Sequence, residues 1–127
     1  MTTPRDLLMF GEALASVYDP DPAKANSQEP FVRTVAHLSY YACYNHAMGF
    51  AKTRNTKFSG PDRHRQLWDW AATVNVDIKT DATSLRKKRI DADYKLNKAL
   101  RHDPKDICDD ATALLDLIDA EIAKSHP

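Results

Sequence analysis

Three times along this sequence a capping residue, a proline and an acid stand together at the head of an apolar repeat: Thr3-Pro4-Arg5-Asp6, Ser59-Gly60-Pro61-Asp62 and Asp103-Pro104-Lys105-Asp106. Ser, Thr and Asp offer an oxygen to the open amides of a first helical turn, and proline loses nothing at the first helical position. An acid in that turn also faces the positive end of the helix dipole. Each signal is followed by apolar residues at steps of three and four, and no strand-like alternation competes with them. Leu7, Phe10, Leu14 and Val17 give a first helix ending near Tyr18. Leu67, Trp70, Ala71 and Val74 give a third, with His64 on the same inner face, and Ile107, Ala111, Leu114, Leu115, Ile118 and Ile122 give a last one.

Between these, Asp19 to Glu29 has turn chemistry and no period and reads as a loop. A second helix then starts near Pro30 and runs toward Arg54, about 37 Å at 1.5 Å per residue, long enough to be the spine of the domain. Thr80 or Asp81 caps a fourth helix whose stripe is Leu85, Ala92, Leu96 and Ala99 or Leu100. Residues 1–127 therefore read as one all-α domain, an up-down antiparallel bundle of about five helices.

The 18 Lys and Arg against 18 Asp and Glu remove bulk positive charge as an argument for nucleic-acid binding. The charges are unevenly placed, however. Residues 1–51 hold 3 basic and 5 acidic side chains, residues 52–101 hold 13 and 6, and residues 102–127 hold 2 and 7. No apolar run reaches the roughly 18 residues of a membrane span, and the N-terminus lacks the basic-then-apolar order of a signal peptide. The expected setting is cytoplasmic, without membrane contact, and Cys43 and Cys108 read as reduced core thiols.

On the fourth helix, counting back from Leu96 and Ala92 lands on Arg89 and then Leu85, so Arg89 lies in the apolar stripe. A guanidinium there stays charged and needs acceptors. It can pair with Asp93, four residues on, and knit the bundle together, or it can grip a phosphate or a transition-state charge in a cleft. Arg86, Lys87 and Lys88 read as a solvated face that can also attract an anion, with Lys87 and Asp91 at surface ion-pair spacing. On the second helix Arg33, His37, Tyr41 and Asn45 stand four apart, a polar and aromatic line that either fills a cleft or tips into water. No two histidines are three or four apart, so no metal site is expected. Neither a glycine-rich phosphate loop nor a nucleophile elbow is present, and no cofactor is expected.

At these segments the chain resembles the HEPN family, small helical bundles of bacterial and archaeal toxin-antitoxin and defence systems. Leu38-Ser39-Tyr40-Tyr41-Ala42-Cys43-Tyr44-Asn45-His46-Ala47 is similar to the family's Ser-x-x-Tyr-Tyr-Ala-x-x-His-Ala pattern. Gly60-Pro61-Asp62-Arg63-His64 and Leu85-x-x-x-Arg89-x-x-Ala92-Asp93-Tyr94 follow in the family's order, so the resemblance spans residues 30–120. It implies a homodimer whose Arg-x(4–6)-His motifs line a shared cleft and cut RNA without metal. Arg89 matches the family's arginine, but Tyr94 stands where the histidine would, and Ile90 where a polar residue is usual. The resemblance thus implies a HEPN-like dimer that binds RNA, a nucleotidyltransferase antitoxin or both, with Arg89, Tyr94, Asp93 and His64 as the candidate catalytic residues and Arg86, Lys87, Arg33, His37 and Tyr41 as the candidate RNA or anion contacts. Its alternative is a metal-independent ribonuclease in which His37, His46 or His64 supplies the proton transfers. Tyr94 can also be a target for adenylylation by such a partner.

Overall fold

Two of the three start signals act through their side chains. Thr3 Oγ1 accepts from the Asp6 amide at 3.1 Å while Asp6 Oδ2 accepts from the Thr3 amide at 2.9 Å, a reciprocal box that opens α1, Pro4–Ala15. Asp103 Oδ1 accepts from the Lys105 amide at 2.8 Å ahead of α5, Pro104–Lys124. The computed structural model describes residues 2–19, 25–94 and 103–124, apart from the side chains of residues 25–29, Asp93 and Tyr94. Between α1 and α5 lie α2, Ala25–Thr53, α3, Arg63–Val74, and α4, Val76–Tyr94, and no strand occurs among the described residues.

The architecture is an all-α bundle built on α2, whose 29 residues span about 44 Å. All four other helices pack on it, α5 fills the angle between α1 and α4, and α3 lies against α4. Tyr40, Leu67, Ile78, Leu85, Ile107 and Leu114 are fully buried where these helices meet. Cys43 and Cys108 are free and buried among them, as the sequence suggested, and burial pushes their thiols up to about 12 and about 11. At the end of α2, Asn55 takes a left-handed φ of 56° and the Thr56 amide donates back to the Ala51 carbonyl at 2.9 Å, which closes the helix. None of the described helices is long and apolar enough to cross a membrane.

Three features depart from the sequence reading. First, α2 begins at Ala25, with Pro30 inside it. A proline one turn into a helix removes a single backbone bond, and Ala25, Gln28 and Glu29 are good helix formers. Second, α4 begins at Val76 rather than at Thr80 or Asp81. Asn75 is extended (φ −154°, ψ 114°), and its Oδ1 accepts from the Asp77 amide at 2.9 Å. Thr80 instead folds back onto the Val76 carbonyl at 3.2 Å.

Third, α1 is turned. Its buried face is Leu8, Gly11 and Ala15, while Phe10 and Val17 are 61% and 62% exposed. Gly11 faces α2 and α5, where an added Cβ would meet Leu38, Ser39 and Cys108 at ordinary contact distances of 3.7 to 3.9 Å. Leu8 and two small residues thus fill the buried face, Leu7 and Leu14 pack at its edge, and Met9 and Phe10 are left outside.

Candidate functional site

The long helix α2 carries Tyr40, Tyr41 and Tyr44 within one turn. Against that turn α3 sets His64 and Trp68, four residues apart, and α4 sets Arg86 and Arg89, three apart, so each pair points the same way from its helix. Tyr40 Oη lies 2.7 Å from His64 Nδ1 and accepts from Trp68 Nε1 at 3.1 Å. The His64 ring stacks on Tyr44 at 4.1 Å between centroids and on Tyr40 at 5.6 Å, and meets Tyr41 edge-on at 5.9 Å. The Arg89 guanidinium lies over the tyrosines, 5.2 Å from the Tyr40 ring centre and 5.6 Å from that of Tyr41. Each such cation–π contact contributes about 0.5–2 kcal/mol.

Charge and burial set the protonation of the cluster. His64 is 9% exposed, and burial pushes its imidazole down to about 4, with Arg86, Arg63 and Arg89 acting in the same direction. Burial raises the Tyr40 phenol, against the Trp68 hydrogen bond and the two arginines, which lower it. At neutral pH both rings are therefore uncharged and the arginines supply the positive potential. Arg86 Nε is buried with no hydrogen-bond partner among the described residues. An orphaned buried donor costs about 1–3 kcal/mol, which an acceptor arriving from outside would relieve.

The sequence-derived candidates thus divide. Arg89, Arg86, His64 and Tyr41 come together. His37 is exposed and stacks on Tyr41 at 4.6 Å, extending the aromatic surface outward. Arg33 Nε donates to the Ala92 carbonyl at 3.2 Å, holding the last turn of α4 to α2. Lys87 is exposed, and Asp91, expected on the surface, is 4% exposed. The side chains of Asp93 and Tyr94 lie outside the described residues. His46 belongs elsewhere: its Nε2 is 2.6 Å from Asp119 of α5, which also pairs with Arg5.

Arg86, expected in solvent, instead turns inward, as its three-residue spacing from Arg89 permits. Sequence reasoning misses Tyr40, Tyr44 and Trp68 as members of the site. The one signal for Trp68 is its position four residues after His64, which the apolar count through Leu67 and Trp70 obscures.

A cavity of about 360 Å³ lies away from this cluster, between α4 and α5, and is lined by Asp81, Ser84, Lys88 and Asp110. Lys88 there is paired with Asp110, and the Asp81 carboxyl is raised by burial and by Asp77 and Asp110. Acids that repel one another around a neutralised lysine do not suit an anion. Among the described residues no three His, Cys, Asp or Glu side chains gather as a metal site. Comparison with protein families, curated proteins and solved structures gives no match. Chemically, the aromatic cluster pairs guanidinium donors with ring faces, a combination suited to phosphate beside a nucleobase.

Proposed function

We propose that this protein is a HEPN-like bundle that binds RNA, with Arg86 and Arg89 gripping phosphate and Tyr41 and His37 offering ring faces to bases. It works as a cytoplasmic homodimer of a toxin-antitoxin or defence system, alongside a nucleotidyltransferase-type partner. The observation that carries the reading is the buried Arg86 Nε, whose want of an acceptor sits beside Arg89 and the tyrosine rings of α2. Protein interiors rarely leave a guanidinium nitrogen in that state unless something else completes it.

Anisotropy of an end-labelled oligouridine tests this. Wild type binds, and binding weakens as salt rises. Arg86→Ala or Arg89→Ala lowers the salt slope by about 0.7 for each single-strand phosphate that is no longer neutralised. Wild type with no affinity at low salt would sink the reading. Pull-down and sedimentation test the partner and the dimer separately.

A metal-independent ribonuclease is the second reading, favoured by one observation: His64 and Arg89 both lie against the Tyr40 and Tyr41 rings. It requires cleavage that survives EDTA and disappears in Arg89→Ala.

A further inference from the structure

Behind the two arginines runs a hydrogen-bond chain whose direction follows from donor chemistry. Indole Nε1–H can only donate, and Trp68 donates to Tyr40 Oη at 3.1 Å. Tyr40 is fully buried, so its hydroxyl proton needs an acceptor inside the protein, and His64 Nδ1 lies 2.7 Å away. Were Nδ1 the donor instead, the phenol oxygen would accept twice and its own proton would be stranded in a dry site. That arrangement forfeits a hydrogen bond and gains none. His64 Nδ1 is therefore the acceptor. A neutral imidazole accepting at Nδ1 carries its proton on Nε2, the ring nitrogen left for another partner.

We propose that the Trp68–Tyr40–His64 chain locks His64 as an Nε2–H donor to a phosphate oxygen held by Arg86 and Arg89, with Tyr40 and Trp68 as its positioning residues. This rests on the reading of the cluster as an RNA phosphate site, and it decides what the histidine does there. The one lone pair of the ring faces Tyr40, so His64 gives a hydrogen bond to the ligand and takes no proton from it. Burial and the neighbouring arginines, which hold the ring neutral, act in the same sense.

A glutamine at position 64 can present an amide N–H where imidazole Nε2–H stands, but it cannot exchange a proton; alanine can do neither. With the end-labelled oligouridine, His64→Gln keeps affinity within about threefold of wild type, while His64→Ala weakens it about tenfold or more, the loss of a hydrogen bond to a charged group. Equal damage by both variants overturns the proposal.

A long-range proton–nitrogen correlation spectrum of the labelled wild-type protein at neutral pH reads the tautomer without any ligand. His64 shows Nε2 protonated and Nδ1 bare, and in Tyr40→Phe the second tautomer becomes populated. Protonated Nδ1 in wild type overturns the chain itself. A correct tautomer in a wild-type protein that fails to bind the oligouridine instead overturns the RNA reading, and with it the phosphate role of His64.

Discussion

Acidification should strain this fold through His64 in a way that one substitution can isolate. The ring is 9% exposed and held down to about 4, against an ordinary value of 6.5. Between those two values the unfolded chain binds a proton that the folded chain does not. Stability is therefore full above pH 6.5, falls as the pH drops, and levels off below about 4. At 1.36 kcal/mol per pH unit the loss approaches about 3 kcal/mol, an upper value because part of the cause is repulsion from arginines that reach solvent. For a domain of this size that is roughly 10 °C in Tm. The groups facing the ring are Arg63 on its own helix, Arg86 and Arg89 on α4, and Tyr40, Tyr41 and Tyr44 on α2.

Urea unfolding measured from pH 7 to pH 4 on wild type and His64→Gln gives the test. Carboxylates such as Asp69 and Asp119, whose own titrations destabilise in acid, are common to both proteins and cancel in the difference. The wild-type curve should fall more steeply, by up to about 3 kcal/mol over the interval. Parallel curves would show that His64 titrates normally and would refute the burial argument.

Other perturbations have equally definite signs. Gly11→Ala should stabilise α1 by about 0.5–1 kcal/mol, because the new methyl meets its neighbours at ordinary contact distance. Gly60→Ala should cost about 1 kcal/mol, since φ there is +86°, and thermal melts of the two variants should move in opposite directions. Asn75→Ala removes the amide acceptor at the start of α4 and the donor to Glu121 Oε1 at 3.2 Å. Chemical denaturation should record a loss of about 1–2 kcal/mol. Cys43 and Cys108 should resist a thiol reagent at pH 8 in the native protein and react together on unfolding, because burial keeps both thiols protonated.

Periodicity carries the helices and the inward position of two functional candidates, Arg89 and His64, because a charged or polar residue in an apolar stripe stands out against its neighbours. It fails where small residues share the buried face. In α1 that face is Leu8, Gly11 and Ala15, and an apolar count passes over the two small ones for Phe10 and, beyond the helix end, Val17. It fails again at Asn75, whose capping depends on an extended backbone that only the corner between α3 and α4 creates, and whose second partner, Glu121, is 46 residues away. Arg86 shows a third cause. Its neighbours Lys87 and Lys88 make the segment look uniformly wet, although a helix turns about 100° per residue and cannot present four consecutive side chains to one environment.

The same rotation about the helix axis explains how the zero net charge is distributed. The run Arg86-Lys87-Lys88-Arg89 is dealt out around α4 rather than shared on one face. Lys88, about 200° from Arg86 around the helix, faces α5 and pairs with Asp110. Lys87 is exposed to solvent, and Arg86 and Arg89 turn toward the tyrosines of α2. Three further acids of α5 are engaged elsewhere: Asp116 and Asp119 hold Arg5, Asp119 also meets His46, and Glu121 holds Lys124 and Asn75. On α3, Asp69 binds Arg65 and Lys79. The acidic last helix therefore pairs with cations of α1 and of one side of α4, while the opposite side of α4 meets aromatic rings. Ring faces attract a guanidinium but offer its N–H groups no lone pairs, so they position the charge while the Arg86 Nε still wants an acceptor. A ligand that brings oxygen acceptors and a planar base together supplies what that side lacks, which is why the partner proposed above is RNA rather than a purely acidic peptide.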